Sequence, residues 1–172
     1  MAYHPAAWTN FFIAQASAAA ALAGLVFVAV SINLKLILQY PHLPGRVGQA
    51  LISLLQLLVV ALALLIPNGT THALGVELLV IGILTWTLLV TIQWKSLRRL
   101  DELDVAETGQ RVRVMKAEVV VAGQLVSLPT VIAGASLLAG AGGGLYWLAA
   151  GTLLALASGI SDTWVLLIEI QR

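Results

Sequence analysis

Residues 11–38 read FFIAQASAAAALAGLVFVAVSINLKLIL, and this stretch decides what kind of fold the chain can adopt. No Asp, Glu, Lys or Arg occurs in it before Lys35. A helix rises about 1.5 Å per residue and the hydrocarbon core of a bilayer is about 30 Å thick, so roughly 20 such residues cross it. Backbone amides in hydrocarbon must be bonded within the segment, which makes an open run helical. A barrel strand would alternate, and this run does not.

Four further runs have the same character: about Val47–Ile66, Leu74–Trp94, Met115–Ala139 (with Pro129 inside it) and Leu145–Ile170. Pro67-Asn68-Gly69 marks a turn after the second. The expected fold is therefore all-α, a polytopic transmembrane bundle of five spans in a single membrane domain. Composition agrees, since 60% of the 172 residues are hydrophobic and only 10% are charged, too few to coat a soluble globule. A net charge of +1 offers no excess to offset phosphates, so no nucleic-acid partner is expected. With no cysteine, disulfides, thiolate metal sites and cysteine nucleophiles drop out. The first run has no basic stretch before it and is longer than a signal-peptide core, so it is expected to be a retained helix.

The basic residues set direction. Lys35 and Arg46 lie near the first connection, Lys95, Arg98, Arg99, Arg111, Arg113 and Lys116 around the third, and Arg172 at the last position. Five crossings put all nine on one side, which the positive-inside rule makes cytoplasmic, with the N-terminus outside. The stretch from about 95 to 114 is then a cytoplasmic helical hairpin with solvated charge pairs.

Within the spans, helix association relies on small residues and on buried polar contacts. At about 100° per residue, Ser17, Ala21, Gly24, Val28, Ser31 and Lys35 share one stripe of the first helix, which is expected to face the bundle. Asn33 points elsewhere, in line with Gln15, Val26 and Ala29. Gln49, Ser53 and Gln56 align in the second helix, Gln124 and Ser127 in the fourth, and Gly151, Ala155, Ser158 and Asp162 in the fifth. Gly151, Ala155 and Gly159 form a small-xxx-small ladder for helix packing, and Gly24 is expected to serve the same end. The third helix is poorer in such signals. Asp162 needs a partner, water or a proton, because an ionised Asp inside a span costs about 2.5–3.5 kcal/mol. Lys35, the only basic residue well inside a span, is the expected partner if the first and fifth helices pack. A candidate binding layer or ion pathway thus comprises Asp162, Lys35, Gln124, Gln56, Ser31 and Asn33 in the cytoplasmic half. The glycines of Gly140-Ala141-Gly142-Gly143-Gly144 suggest a flexible turn.

No catalytic residues, metal site or cofactor are expected. His4, His42 and His72 all fall outside the spans, and the zinc-protease and nucleophile-elbow motifs are missing. The segment Ala7-Trp8-Thr9-Asn10-Phe11-Phe12, followed by Ala20 to Leu34, resembles small actinobacterial-type membrane proteins, some labelled modulator of FtsH protease. That resemblance implies a bacterial plasma membrane and transfers no active-site residue. Two functions compete. One is a non-enzymatic accessory or interaction module, forming a homo-oligomer or meeting a membrane-protein partner within the lipid bilayer. The other is a small oligomeric ion channel or proton-coupled transporter using Asp162 and Lys35.

Overall fold

The computed structural model describes residues 2–39, 43–67, 70–103 and 109–167, with side chains except those at 96, 99–119, 122 and 165–167. The described residues form five long helices: α1 (Thr9–Gln39), α2 (Leu43–Leu65), α3 (Thr71–Leu103), α4 (Gly109–Ala139) and α5 (Tyr146–Leu167), after a 3-10 turn at Pro5–Trp8. Among them, Pro5–Gln39, Leu43–Leu65 and Thr71–Lys95 are long and apolar enough to cross a membrane, and Gly123–Ala139 is a shorter apolar helix. Residues 104–108 of the expected hairpin, and the side chains of its charge pairs from 99 onward, lie outside the described residues.

Local chemistry explains the helix starts. α2 begins at Leu43, one turn before the expected Val47, because Pro44 falls in the first turn, where no intrahelical N–H is needed. Arg46 is therefore helical. At the start of α3, the Thr70 hydroxyl accepts the Ala73 N–H at 3.1 Å and caps the helix.

Consecutive helices pack side by side, and α1 closes the ring against α5. α2 leans inward and touches α4 and α5 as well as its neighbours. At the N-terminal end, Phe12, Val60, Leu64, Leu74, Leu78, Leu137 and Leu145 form one apolar core. At the opposite end, Val26, Ala29, Ile37, Val47 and Leu54 join α1 to α2.

The orientation of α1 corrects the sequence expectation. Ser17, Ala21, Gly24, Val28, Ser31 and Lys35 all face outward, and a Cβ on Gly24 would meet nothing within 4 Å. The inward stripe is Phe12, Gln15, Ala19, Val26, Ala29, Asn33 and Ile37. The outward serines need no neighbour, since Ser17 donates to the Ile13 carbonyl and Ser31 to the Phe27 carbonyl of their own helix.

The third helix corrects a second expectation, for its glycines make the tightest crossing. A Cβ on Gly82 would lie 2.8 Å from Val131 Cγ2 and 3.2 Å from the Val131 amide nitrogen. One on Gly134 would lie 2.8 Å from the Leu79 amide nitrogen. Backbone meets backbone here, and dispersion between closely packed atoms replaces the hydrophobic drive that lipid does not supply.

The glycine turn after α4 is tied down. Gly140, Gly142, Gly143 and Gly144 have φ of 63°, 89°, 102° and 53°, which only glycine adopts without strain. Ser136 donates to the Ala141 carbonyl and accepts from the Gly144 N–H. The Gly143 N–H donates to the Tyr3 hydroxyl and the Leu145 N–H to the Ala2 carbonyl, so the turn clasps the N-terminal segment. Trp8 packs edge-on against Tyr146 at 4.9 Å beside it.

Gly140 and Gly144 have similar φ, but a Cβ would find open space at Gly140 and the Ala2 carbonyl at Gly144. Gly140→Ala should lower Tm by about 2–4 °C through left-handed strain of about 1 kcal/mol, and Gly144→Ala should lower it further. Gly134→Leu should cost about 3 kcal/mol or more, enough to lose the folded bundle. Thermal unfolding in detergent checks both; equal melting of the two alanine variants would refute the clasp.

Candidate functional site: a polar seam and an ion pair

Arg46, Gln49, Ser53 and Gln56 recur along α2 every three or four residues, so they form one stripe about 15 Å long. The stripe faces the interior, with Gln49 and Ser53 each 8% exposed and Gln56 1%. Across from its start stands the C-terminal part of α5. There Arg46 Nε donates to Asp162 Oδ1 at 2.8 Å, with the side chains 39% and 15% exposed. Asp162 thus pairs with Arg46, not with Lys35. The early start of α2 brings a long guanidinium side chain to face α5, whereas Lys35 lies on the outward stripe of α1.

Small residues on α5 let α2 approach. A Cβ on Gly159 would be 3.3 Å from Leu54, and Ala155 is buried with Ala19, Leu57 and Val126. Gly151 receives the ring of Pro129, whose Cβ would be 2.7 Å from an added Cβ. Between the two helices a cleft of about 10 Å³ remains, lined by Gln49, Ser53, Ser158 and Asp162 among others.

Deeper in the bundle the amides tie helices together. Gln56 Nε2 donates to the Thr130 hydroxyl of α4 at 2.8 Å, and its buried Oε1 has no partner among the described residues. Gln15 Nε2 donates to the Leu57 carbonyl at 2.8 Å, and its Oε1 accepts from the Thr152 hydroxyl at 3.0 Å, so one side chain of α1 joins α2 and α5. Gln93 is seated where a side chain on Gly123 would stand, with Gln49 nearby. The seam ends at the apolar core around Phe12, Val60 and Leu145.

The structure brings Asp162 and Gln56 onto this seam and turns Asn33, 6% exposed, inward from α1. It does not bring in Lys35, Ser31 or Gln124. Lys35 and Ser31 are exposed, and Gln124 Oε1 accepts the Trp86 indole N–H at 2.9 Å on the outer side of the α3–α4 pair. Arg46, Gln93, Gln15, Thr130 and Thr152 are participants that the expected layer omitted. Two of them, Gln15 and Gln93, share a legible signal: buried amides, unlike serines, do not readily close a bond onto their own helix and so mark the interior. Among the described residues no group of three or more His, Cys, Asp or Glu is placed to hold a metal ion.

The ion pair is asymmetric in burial, which orders its variants. Arg46→Met strands the more buried Asp162 charge, while Asp162→Asn frees a guanidinium that already reaches solvent. Solvent screening of the 39%-exposed Arg46 holds the difference to about 1–2 kcal/mol. Arg46→Met should therefore melt below Asp162→Asn in detergent, and the reverse order would contradict the assignment. No family model, curated protein or solved structure matches the chain, so the geometry alone carries the functional reading.

Proposed function

We propose that the chain is a non-enzymatic integral protein of the plasma membrane that acts as an accessory or interaction module. It crosses the bilayer five times, with the N-terminus outside and the cytoplasmic side at the Arg46 end. Lys35, Arg46, Lys95 and Arg98 lie near helix ends opposite the N-terminal clasp, which supports that direction. One observation carries the reading. Interior amides bond across helices, the one intramembrane carboxylate on the seam is paired, and an apolar core closes the end beyond them. Such an interior favours holding a bundle together over passing solutes through it.

The contact surface proposed is the outward face of α1, where Ser17, Ala21, Gly24, Val28 and Ser31 repeat with four- and three-residue steps between larger apolar side chains. Small residues in that repeat admit a second helix closely. Gly24→Leu should leave Tm within the change of about 0.5 kcal/mol usual for surface substitutions and abolish crosslinked species in native membranes. An unchanged crosslinking pattern would exclude this face. The transport reading keeps Asp162 but loses Lys35 as its partner. Proteoliposome flux that falls in Asp162→Asn would favour it instead.

A further inference from the structure

Most hydroxyls within these helices bond back to their own helix, while Thr130 and Thr152 pair across helices and Ser136 holds the turn after α4. Ser17, Ser31, Ser127, Ser161 and Thr163 each donate to the carbonyl four residues back. Thr85, Thr87 and Thr91 bond to carbonyls of the preceding turn in the same way. Ser53 and Ser158 make no such bond and have no protein partner among the described residues, and both line the cleft between α2 and α5. Ser53 is only 8% exposed. A hydroxyl that deep costs about 1–3 kcal/mol if nothing bonds it.

The surroundings say what bonds it. Gln49 precedes Ser53 by one turn on α2, and Ser158 precedes Asp162 by one turn on α5. Because the two helices run in opposite directions, Ser53 and Ser158 share the deeper level, and Gln49 and Asp162 the level nearer Arg46. Asp162 is already compensated by Arg46. The cleft is therefore near neutral and offers hydrogen-bonding groups, not a surplus of charge. Its volume of about 10 Å³ is about that of one water-sized sphere.

We propose that this cleft is a water site, the inner end of an aqueous inlet that opens at the Arg46 end and stops at Ser53 and Ser158. Water there bridges the two hydroxyls and solvates the face of Asp162 that Arg46 does not cover. Ser53 lies about 15 Å along α2 from Leu43, so the inlet reaches about half the depth of a 30 Å hydrocarbon core. Beyond it Gln56 and the apolar core stop the path. The site holds whether or not α1 meets a partner.

The chain has no cysteine, so single-cysteine variants report one position each. Ser53→Cys and Ser158→Cys would be exposed to Ag⁺ in sealed vesicles, applied to one side at a time, then denatured and back-labelled with a fluorescent maleimide. Ser161→Cys, outward-facing three residues from Ser158, and the fully buried Ser127→Cys are the controls. Lys95→Cys, exposed near the end of α3 at the Arg46 end, identifies the side. The expected result is protection of Ser158→Cys at least tenfold faster than either control, from the Lys95 side only. Rates equal to the controls, or protection from the opposite side, would overturn the inlet. Should Ser53→Cys fail to fold, Ser158→Cys at its half-exposed position decides access. Ser53→Ala then tests the deep end. Loss of a bridged water should lower its Tm by about 2–4 °C, and an unchanged or higher Tm would mean a dry, orphaned hydroxyl.

Discussion

A glutamine buried among lipid-embedded helices has two ends to satisfy and no water to satisfy them with. Much of the packing depends on that constraint. Gln15 binds α2 and α5 at once, and Gln56 reaches α4. A close-packed glycine receives Gln93 beside α4. Each such bond specifies a rotation and a depth for the helices it joins, which dispersion between leucines and valines does not do. Apolar packing holds the helices together, and the amides select which faces meet.

The ion pair belongs to the same logic. A carboxylate near the end of α5 is tolerable because α2 starts early enough to present Arg46 to it. The pair sits at the more exposed end of the seam, where Arg46 stays half-exposed. At the other end the seam meets Phe12, Val60 and Leu145, and polar contacts give way to close apolar packing. The bundle is thus polarised along its axis, charged and polar at one end and apolar at the other, and the N-terminal clasp covers the apolar end with the Ser136 turn.

Small residues take two roles in this bundle. Gly75, Gly82 and Gly134 bring α3 and α4 into backbone contact, and Gly151 makes room for Pro129. A Cβ on Gly24 would meet none of the described residues within 4 Å. The difference cannot be seen in the spacing, because a glycine in a three-four repeat looks the same whether its neighbour is a helix of the same chain, a second molecule or lipid. Ser17 and Ser31 mislead for a related reason: their hydroxyls are self-satisfied, so they impose no direction on α1.

The helical class, and the limits of α1 and α2 to within about a turn, follow from residue order and hydropathy alone. A run such as residues 11–34 admits only one backbone solution in hydrocarbon. The alignment of Gln49, Ser53 and Gln56 on α2 was equally legible, since it needs only the helical repeat. Which stripe of α1 turns inward, that Arg46 and not Lys35 meets Asp162, and that Ser53 and Ser158 face each other across a cleft were decided only when the helices packed. Those outcomes depend on the distance and rotation between elements far apart in the chain, and periodicity within one helix carries no information about either.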